Sequence, residues 1–167
     1  MKTLLKISGL GLFLAGLIFI SSCDPQKQVA GNYAYKTECM GTEQDGTQTL
    51  KAWGNGRHYF DAAEQAKKNA VSDVLFKGIS EGKTECEMKP ILFEANAREK
   101  NEDYFNRFFA DGGEFKNYVT LQDERIWTKL DRDRKGARKS ATYSVIVRVL
   151  RPQLKAKMIA DGILKLN

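Results

Sequence analysis

The hydrophobic and polar positions of this chain change period several times, which predicts a mixture of strands and helices. Residues 33–40 are rich in aromatic and β-prone side chains, and residues 47–53 alternate between two faces. Leu50 and Ala52 lie on one of these faces, and Thr49, Lys51 and Trp53 lie on the other. Asp45-Gly46 between the two segments suits the positive φ angles of a tight turn, so the pattern predicts a β-hairpin.

Residues 61–77 have the period of an amphipathic helix. Its small apolar face consists of the alanines at 62, 63, 66 and 70 together with Val71, Val74 and Leu75. Asp61 is expected to cap this helix, with Glu64 reaching back as a capping box. Gly78 is expected to end it in a left-handed conformation. Such a slim face predicts close packing against a sheet.

The second half of the chain has the same mixture of periods. A helix is predicted from residue 96 or 97 to Ala110, with four aromatic side chains at helical spacing: Tyr104, Phe105, Phe108 and Phe109. Such a cluster is usually part of a core, but this one is wider than one buried stripe, so one aromatic edge is a candidate surface for a partner. Residues 119–130 and 142–150 alternate and are expected to form a long hairpin with its tip at 131–139. Pro152 is expected to open a closing helix that runs through Ala160.

The order of these elements predicts an α+β fold, ββ-α-(β)-α-ββ-α, with helices on one face of an antiparallel sheet. The bracketed strand is the short apolar segment Pro90-Ile91-Leu92-Phe93, which is expected to be extended. A doubly wound sheet is the alternative. One domain over residues 33–167 accommodates all of the elements.

The amino-terminal segment is expected to be an export signal rather than part of the fold. Lys2 and Lys6 precede an apolar run over residues 10–20, and Ile20-Ser21-Ser22-Cys23 follows. This ending resembles a bacterial lipobox, which implies removal of residues 1–22, lipidation of Cys23 and a tether over residues 23–32. The alternative is a transmembrane anchor, but an apolar run of about a dozen residues is shorter than the roughly 20 that span a bilayer.

Removing that segment changes the charge and the cysteine count of the chain. Loss of Lys2 and Lys6 with no acid lowers the formal net charge from +6 to +4. Once Cys23 carries lipid, Cys39 and Cys86 remain as an even pair in an exported chain, which predicts one disulfide. Two buried free thiols are the alternative, and a redox role is disfavoured because there is no Cys-x-x-Cys motif.

Few residues suggest catalytic chemistry. Gly54-Asn55-Gly56 lacks the third glycine of a dinucleotide loop, so a strand bend is the better interpretation. His58 is the only histidine, and no Ser, Cys or carboxylate stands at a recognisable offset from it. The acids around Cys86 lack the spacing of a calcium loop. The sequence therefore predicts a protein that is not an enzyme and has no metal or cofactor.

A basic segment is the surface feature that most favours a binding role. The sequence from Lys129 to Lys139 carries six basic residues against Asp131 and Asp133. Outside the cytoplasm nucleic acid is an unsuitable partner, which leaves acidic lipid head groups, an anionic envelope polymer or an acidic protein. The candidate partner-binding residues are Arg132, Arg134, Lys135, Arg138 and Lys139. A solubilising hairpin tip is the alternative.

Residues 47–80, a strand followed by an alanine-rich helix, resemble small outer-membrane lipoproteins related to the N-terminal domain of flagellar assembly protein T. The lipobox followed by a plain domain also resembles short lipoproteins of Bacteroidota-type bacteria. These resemblances imply a membrane-anchored, non-enzymatic binding or scaffolding component of a cell-envelope or secretion assembly. The expected location is the outer membrane, facing the periplasm, although Asp24 resembles an inner-membrane retention signal. An envelope hydrolase using His58 is the alternative function.

Overall fold

The computed structural model describes residues 35–122 and 141–165 of the chain. The strands are β1 (Glu38–Thr42), β2 (Gln48–Gly56), β3 (Glu81–Gly82), β4 (Val119–Leu121) and β5 (Ala141–Val149). The helices are α1 (Tyr59–Ser72), α2 (Ala97–Lys100), α3 (Glu102–Phe108) and α4 (Arg151–Ala160). A π-helical segment, Asp73–Lys77, continues α1, and a 3-10 helix, Glu114–Tyr118, leads into β4.

The strands form one sheet in the order β3-β1-β2-β5-β4, which confirms the α+β class. β2 is central and pairs antiparallel with β5 from Gln48↔Val149 to Gly56↔Ala141. The sheet is mixed rather than purely antiparallel, because β3 lies parallel to β1. The sequence predicted the extra strand at residues 90–93, but the strand that pairs with β1 is β3, earlier in the chain. Gly82 of β3 packs directly against the backbone of Cys39.

The predicted first hairpin is confirmed, with β1 and β2 antiparallel. Gly46 has a φ of 82°, and its N–H donates to the carbonyl oxygen of Glu43 at 3.0 Å. The carboxylate of Asp45 accepts hydrogen bonds from the backbone N–H of Thr47 at 2.8 Å and from its hydroxyl at 2.9 Å. Burial also confirms the predicted face, because Leu50 and Ala52 are both fully buried.

One hydrophobic core joins the helices to one face of the sheet. The sheet contributes Leu50 and Ala52 from β2 and Val145, Val147 and Val149 from β5. The helices contribute the small residues of α1 together with Phe105, Phe108, Leu154 and Met158. The predicted alternation of residues 142–150 and the predicted closing helix after Pro152 are therefore confirmed.

Helix α1 begins two residues earlier than the sequence predicted. Its N-cap is His58, no side-chain cap hydrogen bond forms, and the N–H of Ala62 donates to the carbonyl oxygen of His58 at 3.1 Å. The prediction of a capping box formed by Asp61 and Glu64 was wrong, because Glu64 pairs instead with Lys67 and with Lys116. The predicted end is confirmed at Lys77, followed by Gly78 with a φ of 78°.

The second predicted helix is broken into α2 and α3 at Asn101. The side-chain amide of Asn101 donates to the carbonyl oxygen of Ala97 at 2.9 Å, occupying the acceptor that a continuing helix would use. The predicted extended segment at 90–93 contains no strand. Instead, the N–H groups of Ile91 and Leu92 donate to the carbonyl oxygens of Val74 and Leu75 in the π-helical segment.

Candidate ligand-binding cleft

A cleft of about 670 Å³ lies at one end of the sheet. The β1–β2 hairpin forms one wall through Thr42, Gly46 and Gln48, and the loop over residues 84–89 forms the second. The first residues of α4, Arg151 and Pro152, form the third wall together with Lys155. This volume falls within the roughly 300–1,000 Å³ typical of small-molecule sites.

The loop wall of the cleft is held in place by a covalent bond and by hydrogen bonds. Cys39 and Cys86 form the predicted disulfide, with their Cα atoms 5.9 Å apart. The hydroxyl of Thr42 donates to the carbonyl oxygen of Glu85 at 2.9 Å, and Arg151 Nη2 donates to the carbonyl oxygen of Lys89 at 2.8 Å. The loop is therefore tied both to β1 and to α4, which keeps the cleft open in a defined shape.

Gln48 is the unusual residue of the cleft. It is only 1% exposed, yet its side-chain Oε1 has no hydrogen-bond partner among residues 35–122 and 141–165. Gln48 precedes Leu50 and Ala52 on the same face of β2, where an apolar side chain would pack without cost. A buried acceptor without a partner costs about 1–3 kcal/mol of stability, so this glutamine needs a reason other than packing.

Arg151 contributes the complementary group. Its Nη2 is bonded to the loop, but its Nη1 is buried and has no partner in the part of the chain that the structure describes. Burial lowers the pKa of the Arg151 guanidinium below its usual value, and the charge of Glu87 acts in the opposite direction. A guanidinium stays protonated at neutral pH even so. Two residues of the cleft lining, Gln48 and Arg151, thus carry an unpaired acceptor and an unpaired donor among the described residues.

The charges around the cleft favour an anion slightly. The lining carries Lys89, Arg151 and Lys155 against Glu85 and Glu87. Helix α4 also begins at the cleft, and the amino-terminal end of a helix favours negative charge. The rest of the lining, including Met88, Pro152 and the disulfide, is mostly apolar.

His58 and the neighbouring glycines lie elsewhere, at the opposite end of β2 from the cleft. His58 is exposed, and its side chain makes no capping hydrogen bond to α1. Gly54 and Gly56 lie within β2, which stays paired with β5 as far as Gly56↔Ala141. Both glycines let α1 approach, since a Cβ built on Gly56 would lie 2.5 Å from the backbone nitrogen of Ala62.

The acids near Cys86 form no metal site within residues 35–122 and 141–165, where no cluster of three potential ligands occurs. Glu81 pairs instead with Lys36 at 2.8 Å.

The prediction that one edge of the aromatic cluster is exposed was wrong. Phe105 is 1% exposed and Phe108 3%, while Tyr104 and Phe109 pack against the core, so this cluster is structural.

Two predicted functional elements lie outside the described residues. These are the lipidation site Cys23 and the basic residues Arg132, Arg134, Lys135, Arg138 and Lys139. In the part of the chain that the structure describes, no helix has both the length and the apolar character to span a bilayer.

The sequence interpretation missed Gln48 and Arg151 as site residues. Gln48 could have been noticed in the sequence, because it is a polar side chain on the face of β2 that otherwise carries Leu50, Ala52 and Gly54.

Comparison of the chain with protein-family models, curated proteins and solved structures found no match.

Proposed function

We propose that this protein is a membrane-anchored lipoprotein that acts as a non-enzymatic binding or scaffolding component of a cell-envelope or secretion assembly. The Cys39–Cys86 disulfide is the observation that carries the proposal. Disulfides persist in oxidising compartments outside the cytoplasm, which is where the Ile20-Ser21-Ser22-Cys23 segment would deliver the chain. Lipid on Cys23 would then hold the domain at the membrane, on the periplasmic face of the outer membrane.

The cleft supports binding as the task of the folded domain. It has the volume of a ligand site, fixed walls, and unpaired polar atoms on Gln48 and Arg151. Such groups orient a bound molecule by hydrogen bonds while the apolar lining supplies contact area. His58 lies at the other end of β2, so the hydrolase alternative would need a second site there.

The basic segment would add a second contact for an acidic envelope protein or an anionic envelope polymer. Its five residues Arg132, Arg134, Lys135, Arg138 and Lys139 bring a local excess of positive charge. Long-range attraction of this kind mainly accelerates association and is screened by salt over about 8 Å at physiological ionic strength.

Site-specific photocrosslinking in living cells tests the binding role. Met88 lines the cleft and is 59% exposed, so a photoreactive residue there reaches a bound partner without disturbing the core. Asn106 on α3 is also exposed but lies outside the cleft, and it is the matched control. We expect a membrane-fraction adduct from position 88 and none from position 106. Equal adducts from both positions, or none from 88, would contradict a binding role for the cleft.

A further inference from the structure

The two unpaired atoms in the cleft specify the chemistry of its ligand. Gln48 Oε1 is an acceptor and Arg151 Nη1 is a donor, and both atoms are buried with no hydrogen-bond partner among the described residues. A buried polar atom without a partner destabilises the folded state, and a ligand that pairs with it recovers that free energy on binding. The ligand must therefore offer one acceptor and one donor.

The acceptor on the ligand is best supplied by a carboxylate. A guanidinium binds carboxylates through charge-assisted hydrogen bonds, which are stronger than neutral ones. Arg151 Nη2 is already bonded to Lys89, so Nη1 is the free arm of the fork. The amino-terminal end of α4 and the positive charge of Lys155 in the lining also favour a negatively charged group on the ligand.

The donor on the ligand must be an N–H or O–H group that reaches Gln48. The remaining surface is mostly apolar and includes Met88 and Pro152, which favours a ligand with an aliphatic body over a small inorganic ion. The last residue of a peptide has all three features, namely a carboxylate, its own amide N–H and a side chain.

We propose that the cleft binds the carboxyl-terminal residue of a peptide. The terminal carboxylate accepts a hydrogen bond from Arg151 Nη1, and the amide N–H of the same residue donates to Gln48 Oε1. The apolar surface next to Met88 contacts the side chain. This inference rests on the proposed binding function and names the ligand of that same cleft.

Calorimetric titration of the mature chain in detergent micelles tests the proposal directly. The probe is N-acetyl-alanyl-alanine, and its carboxyl-terminal primary amide is the matched control ligand. We expect the acid to bind at least about tenfold more tightly than the amide, because the amide loses a charge-assisted hydrogen bond. Equal affinity of the two ligands, or no heat from either, overturns the proposal. Displacement of the acid by an equal concentration of inorganic phosphate also overturns it, in favour of a simple anion site.

Three variants separate the polar contacts from the shape of the cleft. Gln48→Met keeps the length of the side chain and removes the acceptor, so we expect about tenfold weaker binding with an unchanged or higher Tm. Glu87→Gln removes the acid that acts on Arg151 and is expected to tighten binding. Glu99→Gln, on α2 and outside the lining, is the control and leaves binding unchanged. Wild-type affinity in Gln48→Met would overturn the role of Gln48.

The failure of this ligand assignment differs from failure of the proposed function. If position 88 forms adducts in cells but the acid and amide probes bind equally, the proposed binding function is retained and the proposal of a peptide carboxyl terminus as its ligand is rejected. If neither the crosslink nor the titration gives a signal, both proposals fall together.

Discussion

A Cβ atom built on Gly54 would lie 2.0 Å from the backbone carbonyl oxygen of Ala62. The same atom would lie 2.5 Å from the backbone nitrogen of Ala66, so the obstruction is the backbone of α1 and not a movable side chain. Strand β2 and helix α1 therefore touch through a glycine on one element and alanines on the other. This contact sets the distance between the helix layer and the sheet.

Gly54→Ala is expected to destabilise the protein by about 3 kcal/mol or more, because the added methyl group can be accommodated only by moving α1 off the sheet. Urea denaturation measures the loss. Gly112→Ala is the matched control, since Gly112 has a φ of 80° but nothing within 4 Å of the built Cβ. That control carries only the left-handed backbone cost of about 1–2 kcal/mol. Equal losses in the two variants would show that the close packing is not the cause.

Asp161 joins the end of α4 to α3 through a hydrogen bond from the hydroxyl of Tyr104 at 2.5 Å. Lys157 lies 3.2 Å from the same carboxylate. The bond from Tyr104 lowers the pKa of Asp161 most, Lys157 lowers it further, and burial partly opposes both. Because the folded-state pKa is depressed, the stabilisation is complete above the unfolded value of about 3.9 and is lost as the pH falls through the folded value.

We therefore expect Asp161→Asn to reduce the free energy of unfolding by about 1 kcal/mol or less at neutral pH and by a smaller amount near pH ~3, below the unfolded value. Urea titrations of both proteins at the two pH values measure the difference. A double-mutant cycle with Tyr104→Phe isolates the coupling of the pair. An Asp161→Asn effect of the same size at both pH values would show that the carboxylate charge is not responsible.

The disulfide closes a loop of 47 residues between Cys39 and Cys86. On the chain-entropy model, reduction is expected to cost about 4 kcal/mol. Reduction should also weaken ligand binding, because Cys86 lines the cleft and its loop would lose its covalent tie to β1. Urea denaturation with and without a reductant measures the first effect. A variant with serine at both positions is the control and should not respond to the reductant. Identical wild-type curves under the two conditions would contradict a stabilising role for the bond.

Much of this fold is predictable from local pattern. Gly78 ends the first helix where its backbone flexibility is needed, and Asp45-Gly46 forms the hairpin turn. The burial of Val145, Val147 and Val149 follows the alternation of β5. In each case the signal is confined to a few neighbouring residues, so no knowledge of the tertiary structure is required.

The errors arise where distant segments override a local signal. Asp61 is a residue type that favours an N-cap, but α1 already begins at Tyr59, where the backbone near Ala62 packs against Gly56 of β2. The helix interruption at Asn101 depends on one side-chain hydrogen bond to Ala97. The cleft was not predictable, because its lining combines Gln48 with Arg151, which are far apart in sequence and reach the same end of the sheet only once β2 and β5 pair.

Metabolic labelling with a fatty-acid analogue tests whether the domain is held at the membrane by lipid on Cys23. We predict that the wild-type chain incorporates the label and partitions into detergent, and that Cys23→Ala leaves an unlabelled precursor. Cys39→Ser together with Cys86→Ser is the control for loss of cysteine elsewhere and should keep the label on Cys23. Equal labelling of the wild type and of Cys23→Ala, or no label in the wild type, would show that Cys23 does not carry a lipid anchor.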